Sequence, residues 1–83
     1  MNERKLLDRI TFNPEIYGGK AIIRGRRLAV EHVLEMMAAG SSADELVREY
    51  EWLEPEDVQA CLLYAARLAG NDYFEPTLAV EAD

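Results

Sequence analysis

A chain of 83 residues with net charge −7 makes one small domain, and its thin core would gain from a partner surface. Hydrophobic content of 49% and charged content of 30% describe a soluble globular protein, and no apolar run approaches a membrane span. A single cysteine, Cys61, excludes an intrachain disulfide, and the charged start MNERKLLDRI is unlike a signal peptide, so a cytoplasmic protein is expected.

Charge is divided unevenly. Residues 1–27 carry seven basic and three acidic side chains, whereas residues 28–83 carry two basic and thirteen acidic. Such asymmetry suggests two ends with different partners. The chain divides into an N-terminal basic β/turn segment (1–29), a three-helix body (30–70) and an acidic, hydrophobic tail (71–83), one structural domain in all.

In the first segment, short β-prone pieces alternate with turn signals. Ile10–Phe12 is followed by Asn13-Pro14, a turn initiator, and then by Gly18-Gly19. Ala21–Ile23 precedes Arg24-Gly25, and Arg27–Val30 follows. Runs this short need a surface to lie on, either the helices of this chain or the same segment of a second chain. Ile10, Phe12, Ile22, Ile23 and Leu28 are the residues expected at such a dimer seam.

Helical periodicity starts at Val30, with Val33, Leu34 and Met37 at i+3, i+4 and i+7 and Gly40 as the stop. Ala43, Leu46, Val47 and Tyr50 repeat the spacing after Ser42-Ala43-Asp44-Glu45, a capping box. A third helix begins near Pro55, where a missing N–H costs nothing, and runs to about Gly70. Val58, Leu62, Ala65 and Ala69 are expected to share its apolar face, and Cys61, Leu63, Tyr64 and Ala66 make it apolar on other sides too. The tail NDYFEPTLAVEAD carries Tyr73, Phe74, Leu78 and Val80 among acids, a composition suited to packing on the body or ordering on a partner.

Little in the sequence points to an enzyme. Gly18-Gly19-Lys20 is not a phosphate loop, because Pro14 stands where the first glycine belongs and Ala21 where Ser or Thr is needed. His32 and Cys61 are the only residues of their kinds, too few for a metal site, and no cofactor is implied. Cys61 lies in an apolar run where thiols are inert packing groups. Glu54, Glu56 and Asp57 crowd the start of the third helix, where negative charge suits the helix dipole.

Residues 42–69 can be read as a helix-turn-helix, but a recognition helix that opens on Glu54, Glu56 and Asp57 would face phosphates with carboxylates. Any nucleic-acid contact is therefore expected from Arg4, Lys5, Arg9, Lys20, Arg24, Arg26 and Arg27. Gly18, Gly19 and Gly25 fit either a close backbone approach to a phosphate or simple tight turns.

The order and spacing of the Asn-Pro-Glu-Ile turn, GGKAIIRGRRLAV, the glycine-serine joint at 40–42 and PEDVQACLLYA resemble the small bacterial domain of unknown function 433, often described as VapB-like antitoxins. The resemblance covers residues 9–68. It implies a mainly α fold: a short N-terminal β-hairpin region, then a three-helix, helix-turn-helix-like (homeodomain-like) body, commonly a homodimer. It also implies a PIN-like toxin partner, a metal-dependent ribonuclease, silenced by direct contact, with operator DNA as a second partner. The tail residues Tyr73, Phe74, Leu78 and Val80 are the expected partner-binding set. The alternative is a stand-alone DNA-binding regulator. Ala21, Arg26, Glu51 and Glu54 depart from the family's usual proline, threonine, proline and Thr/Ser cap. Arg26 adds to the basic patch; Glu51 and Glu54 add acid beside the would-be recognition helix.

Overall fold

The computed structural model describes residues 2–70. Its elements are α1 (Glu3–Leu7), β1 (Ile10–Phe12), a 3-10 turn (Tyr17–Gly19), β2 (Ala21–Ile23), α2 (Val30–Ala38), α3 (Ala43–Glu49) and α4 (Pro55–Gly70). The protein is mainly helical with one two-stranded antiparallel hairpin, in which Ile10 faces Ile23, Thr11 faces Ile22 and Phe12 faces Ala21. α4 is the spine, touching α1, α2, α3 and β1, while β2 lies against α2. The proposed tail lies outside the described residues.

Local chemistry accounts for most boundaries. The capping box of α3 is complete: the Glu45 amide donates to Ser42 Oγ at 3.1 Å and the Ser42 amide to Glu45 Oε1 at 2.7 Å. α2 ends at Ala38, and Gly40 follows at φ 114°. The helix α1 was not expected. Asn2 caps it by accepting from the Lys5 amide, and Leu6 is buried in the main core.

Two tight turns shape the hairpin segment. At the first, the Glu15 amide donates to Asn13 Oδ1 at 2.9 Å, an Asx turn. At the second, Arg24 (φ 46°) and Gly25 (φ 70°) are both left-handed, and the Arg26 amide closes on the Ile23 carbonyl at 2.8 Å, as in a type I′ turn. A side chain added at Gly18 or Gly25 would meet no atom within 4 Å, so positive φ, not crowding, requires glycine there. The glycines make tight turns.

The core clusters Ile10, Ile23, Leu28, Val33, Leu46, Val58 and Cys61 with their neighbours. Ile22 and Ile23 are both fully buried, so β2 is covered on both faces. Each such side chain contributes about 1.5–3 kcal/mol by leaving water. Of the five residues expected at a dimer seam, Ile10, Ile22, Ile23 and Leu28 are buried within the chain, and only Phe12, 60% exposed, keeps side-chain surface for a second molecule. The hairpin's supporting surface is this chain's own helices.

The face of α4 also differs from expectation. Its buried residues are Asp57, Val58, Ala60 and Cys61, while Leu62 is 46% exposed and Ala69 is exposed. Because α4 is apolar nearly all round, its sequence could not say which side the smaller elements would cover.

Candidate functional site

Basic residues and the start of α4 meet in one cluster. Asp57 is the buried charged residue of the core, with no solvent exposure. Arg24 grips it as a fork, Nε to Oδ1 at 2.9 Å and Nη2 to Oδ2 at 2.7 Å. Arg9 Nη1 adds a bond to Oδ1 at 2.9 Å, and the Glu54 amide donates to Oδ2 at 2.9 Å. Both carboxylate oxygens therefore accept two bonds each, which satisfies the group. Arg9 also pairs with Glu54 at 2.7 Å, and Arg24 donates to the Trp52 carbonyl at 2.9 Å.

This arrangement fastens three parts of the chain. Arg9 comes from the loop after α1, Arg24 from the turn that follows β2 and Asp57 from the first turn of α4. Arg24 holds a left-handed backbone that is unusual for a non-glycine residue, and its fork on Asp57 repays that strain. Trp52 sits beneath: the Arg26 guanidinium carbon lies 4.7 Å from its ring centroid and that of Arg24 lies 5.6 Å away. Burial pushes the Asp57 carboxyl up, but Arg24, the Glu54 amide and Arg9 together outweigh it, so it titrates below the ordinary carboxylate range. The guanidinium pKa values move up, Arg9 by its bonds to Glu54 and Asp57 and Arg24 by its bond to Asp57.

The seven expected nucleic-acid contacts therefore divide. Arg9 and Arg24 are spent on Asp57, and Lys20 is ion-paired with Glu31 at 2.9 Å, which raises its pKa. Arg4, Lys5, Arg26 and Arg27 are exposed and make no ion pair among the described residues. Of the α4 acids, Asp57 both caps the helix and holds the cluster, while Glu56 is exposed. His32 is exposed as well. Burial first, and then the charge of Asp57, pushes the Cys61 thiol up to about 12, so it is a protonated packing group.

The opposite end of α4 is apolar and open. Leu62 and Leu68 are 46% and 58% exposed, and Phe12 reaches toward the helix with its ring centroid 6.4 Å from that of Tyr64. A groove of about 350 Å³ runs between α2 and α4, lined by Ala21, Leu34, Tyr64, Ala65 and Leu68, with Lys20 and Glu31 on its rim. This open end was not anticipated as a site: helical spacing marked Leu62 and Ala65 as apolar, but exposure depends on what packs there. Expected partner residues Tyr73, Phe74, Leu78 and Val80 lie outside the described residues.

Four helices around a two-stranded hairpin, tied together by a buried carboxylate and two arginines, define a small, mainly helical domain. No helix among the described residues is long and apolar enough to cross a membrane. The chain belongs to the family described as protein of unknown function (DUF433), which matches residues 10–65. Among curated proteins it is similar to the uncharacterized protein y4eO of Sinorhizobium fredii (strain NBRC 101917 / NGR234), with 32% identity over 56 residues. That match covers 68% of this chain and 25% of the relative, so the chain spans about a quarter of the relative's length. No solved structure matches the chain.

Proposed function

We propose that the protein is an antitoxin-like binding protein that neutralises a PIN-like ribonuclease toxin by direct contact, as a homodimer, with operator DNA a secondary partner. One observation carries the reading: the cations that would serve DNA are partly spent inside the fold, while apolar side chains stand open beside the α2–α4 groove. Arg9, Arg24 and Lys20 hold carboxylates of their own chain. Phe12 and Leu68 supply apolar surface beside that groove, of the kind that anchors a protein partner, and Leu62 is exposed on another face of α4. The tail that follows α4 carries Tyr73, Phe74, Leu78 and Val80, apolar side chains suited in composition to the same kind of partner.

The test is capture of the tagged protein from its native host at moderate salt, followed by a ribonuclease assay on what is bound. A stoichiometric small nuclease whose RNA cleavage stops when this protein is added supports the reading. Nuclease activity that is unaffected at saturating protein overturns it.

A stand-alone regulator with a helix-turn-helix formed by α3 and α4 is the second reading. Arg4, Lys5, Arg26 and Arg27, exposed and outside ion pairs, favour it. Binding through them would weaken steeply with salt, by a log–log slope of about −0.9 per phosphate contacted. A complex built on apolar anchors would persist.

A further inference from the structure

We propose that the groove between α2 and α4 is an intramolecular docking site for this chain's own C-terminal segment, with Tyr73 and Phe74 as the seated residues. The groove is apolar along its floor, where Leu34 of α2 faces Tyr64, Ala65 and Leu68 of α4, and Ala21 closes one side. Phe12 continues that surface past Tyr64. Its volume of about 350 Å³ has room for one or two side chains.

Chain geometry selects the occupant. Leu68 forms one end of the groove and Gly70 is the last described residue of α4, so the following segment begins two residues beyond the site it would fill. Along α4 the groove runs from Leu68 back to Tyr64, about 6 Å of helix rise. Thirteen residues remain after Gly70, and an extended segment of that length spans about 43 Å. Tyr73 and Phe74 are third and fourth after Gly70, near enough to turn back over Leu68 and far enough to need no distortion of the helix.

Two further features agree. Asp72 and Glu75 flank the aromatic pair, and Lys20 is the cation on the rim. The Lys20–Glu31 pair there is more than half exposed, so Lys20 can take a second carboxylate at small loss. Tethering supplies the rest. A segment attached two residues from its site is present at an effective concentration in the millimolar range, which a second copy of the chain does not approach in dilute solution. The device stands apart from any toxin, but it has a consequence for one: a partner that takes Tyr73 and Phe74 must first draw them from the groove.

The experiment is heteronuclear NMR on the full-length chain and on two full-length variants, Tyr73→Ser/Phe74→Ser and Leu68→Asp. Leu68 is exposed, so its replacement leaves the fold intact. Docking in cis predicts contacts from the aromatic rings of 73 and 74 to the methyl groups of Leu34 and Leu68. It also predicts shift changes in the double variant confined to residues 20–21, 30–34 and 64–68. Leu68→Asp should reciprocally shift residues 72–75, and none of these signals should change on dilution. Absence of the ring-to-methyl contacts overturns the proposal. Contacts that fade on dilution also overturn it, by assigning the groove to a second copy.

Discussion

At its N-terminal end α4 is fastened by charge, and at its C-terminal end it offers apolar surface with nothing from the described residues upon it. Asp57, in the first turn, is fully buried and takes four hydrogen bonds from Arg24, Arg9 and the Glu54 amide. Leu68, in the last turn, is 58% exposed. Arg24 and Arg9 thus serve the fold by locking the turn after β2 and the N-terminal loop onto the helix, while Arg26 and Arg27 stay exposed. Binding surface has to be sought where the apolar side chains remain open.

The largest effect should come from breaking the charged end. Asp57→Ala leaves Arg24 and Arg9 without their carboxylate and frees the Glu54 amide, and a loss of about 3 kcal/mol is expected in urea unfolding. That figure lies at the low end for a broken buried pair because the arginine side chains keep 27% and 32% exposure. Next is pH. The Asp57 carboxyl is held low in the native state, so its contribution is complete above the unfolded carboxylate pKa of about 4. As pH falls below that value and through the lower native pKa, the contribution disappears. The urea midpoint of the wild type should therefore drop more steeply than that of Asp57→Asn between about pH 5 and pH 3.

Smaller effects sharpen the contrast. Ser42→Ala, remote from both ends, removes the Glu45 amide's partner and should cost about 1 kcal/mol by thermal or urea unfolding. Leu68→Ser should change global stability by no more than about 0.5 kcal/mol, because the described residues leave the side chain 58% exposed and outside the core. If the open end is a binding surface, that same change weakens the partner complex measurably by calorimetry while leaving the unfolding curve in place.

Much of this arrangement was readable in the sequence, and the unreadable parts have physical reasons. The bounds of α2, α3 and α4 follow from apolar spacing, the Ser42 cap, Pro55 and Gly40, all local signals. Strands β1 and β2 were visible as short β-prone runs between turns. Helix α1 was not, because five residues span too few turns to show a period and depend on Asn2 for their cap. Nor was the Arg24–Asp57 fork: thirty-three positions separate the two residues, and nothing local in either neighbourhood names the other. Arg24, Arg9 and Lys20 accordingly looked free for phosphates. The open end of α4 was hidden for the opposite reason, since an all-round apolar helix gives no hint of which side stays bare.

A double-mutant cycle on Arg24 and Asp57, read by urea unfolding of the wild type, Arg24→Ala, Asp57→Ala and the double variant, tests the central claim most directly. If the basic segment serves the fold, the two single losses should overlap with a coupling of about 2 kcal/mol. Additivity within about 0.5 kcal/mol would contradict that, and would return Arg24 to the residues available for an anionic partner.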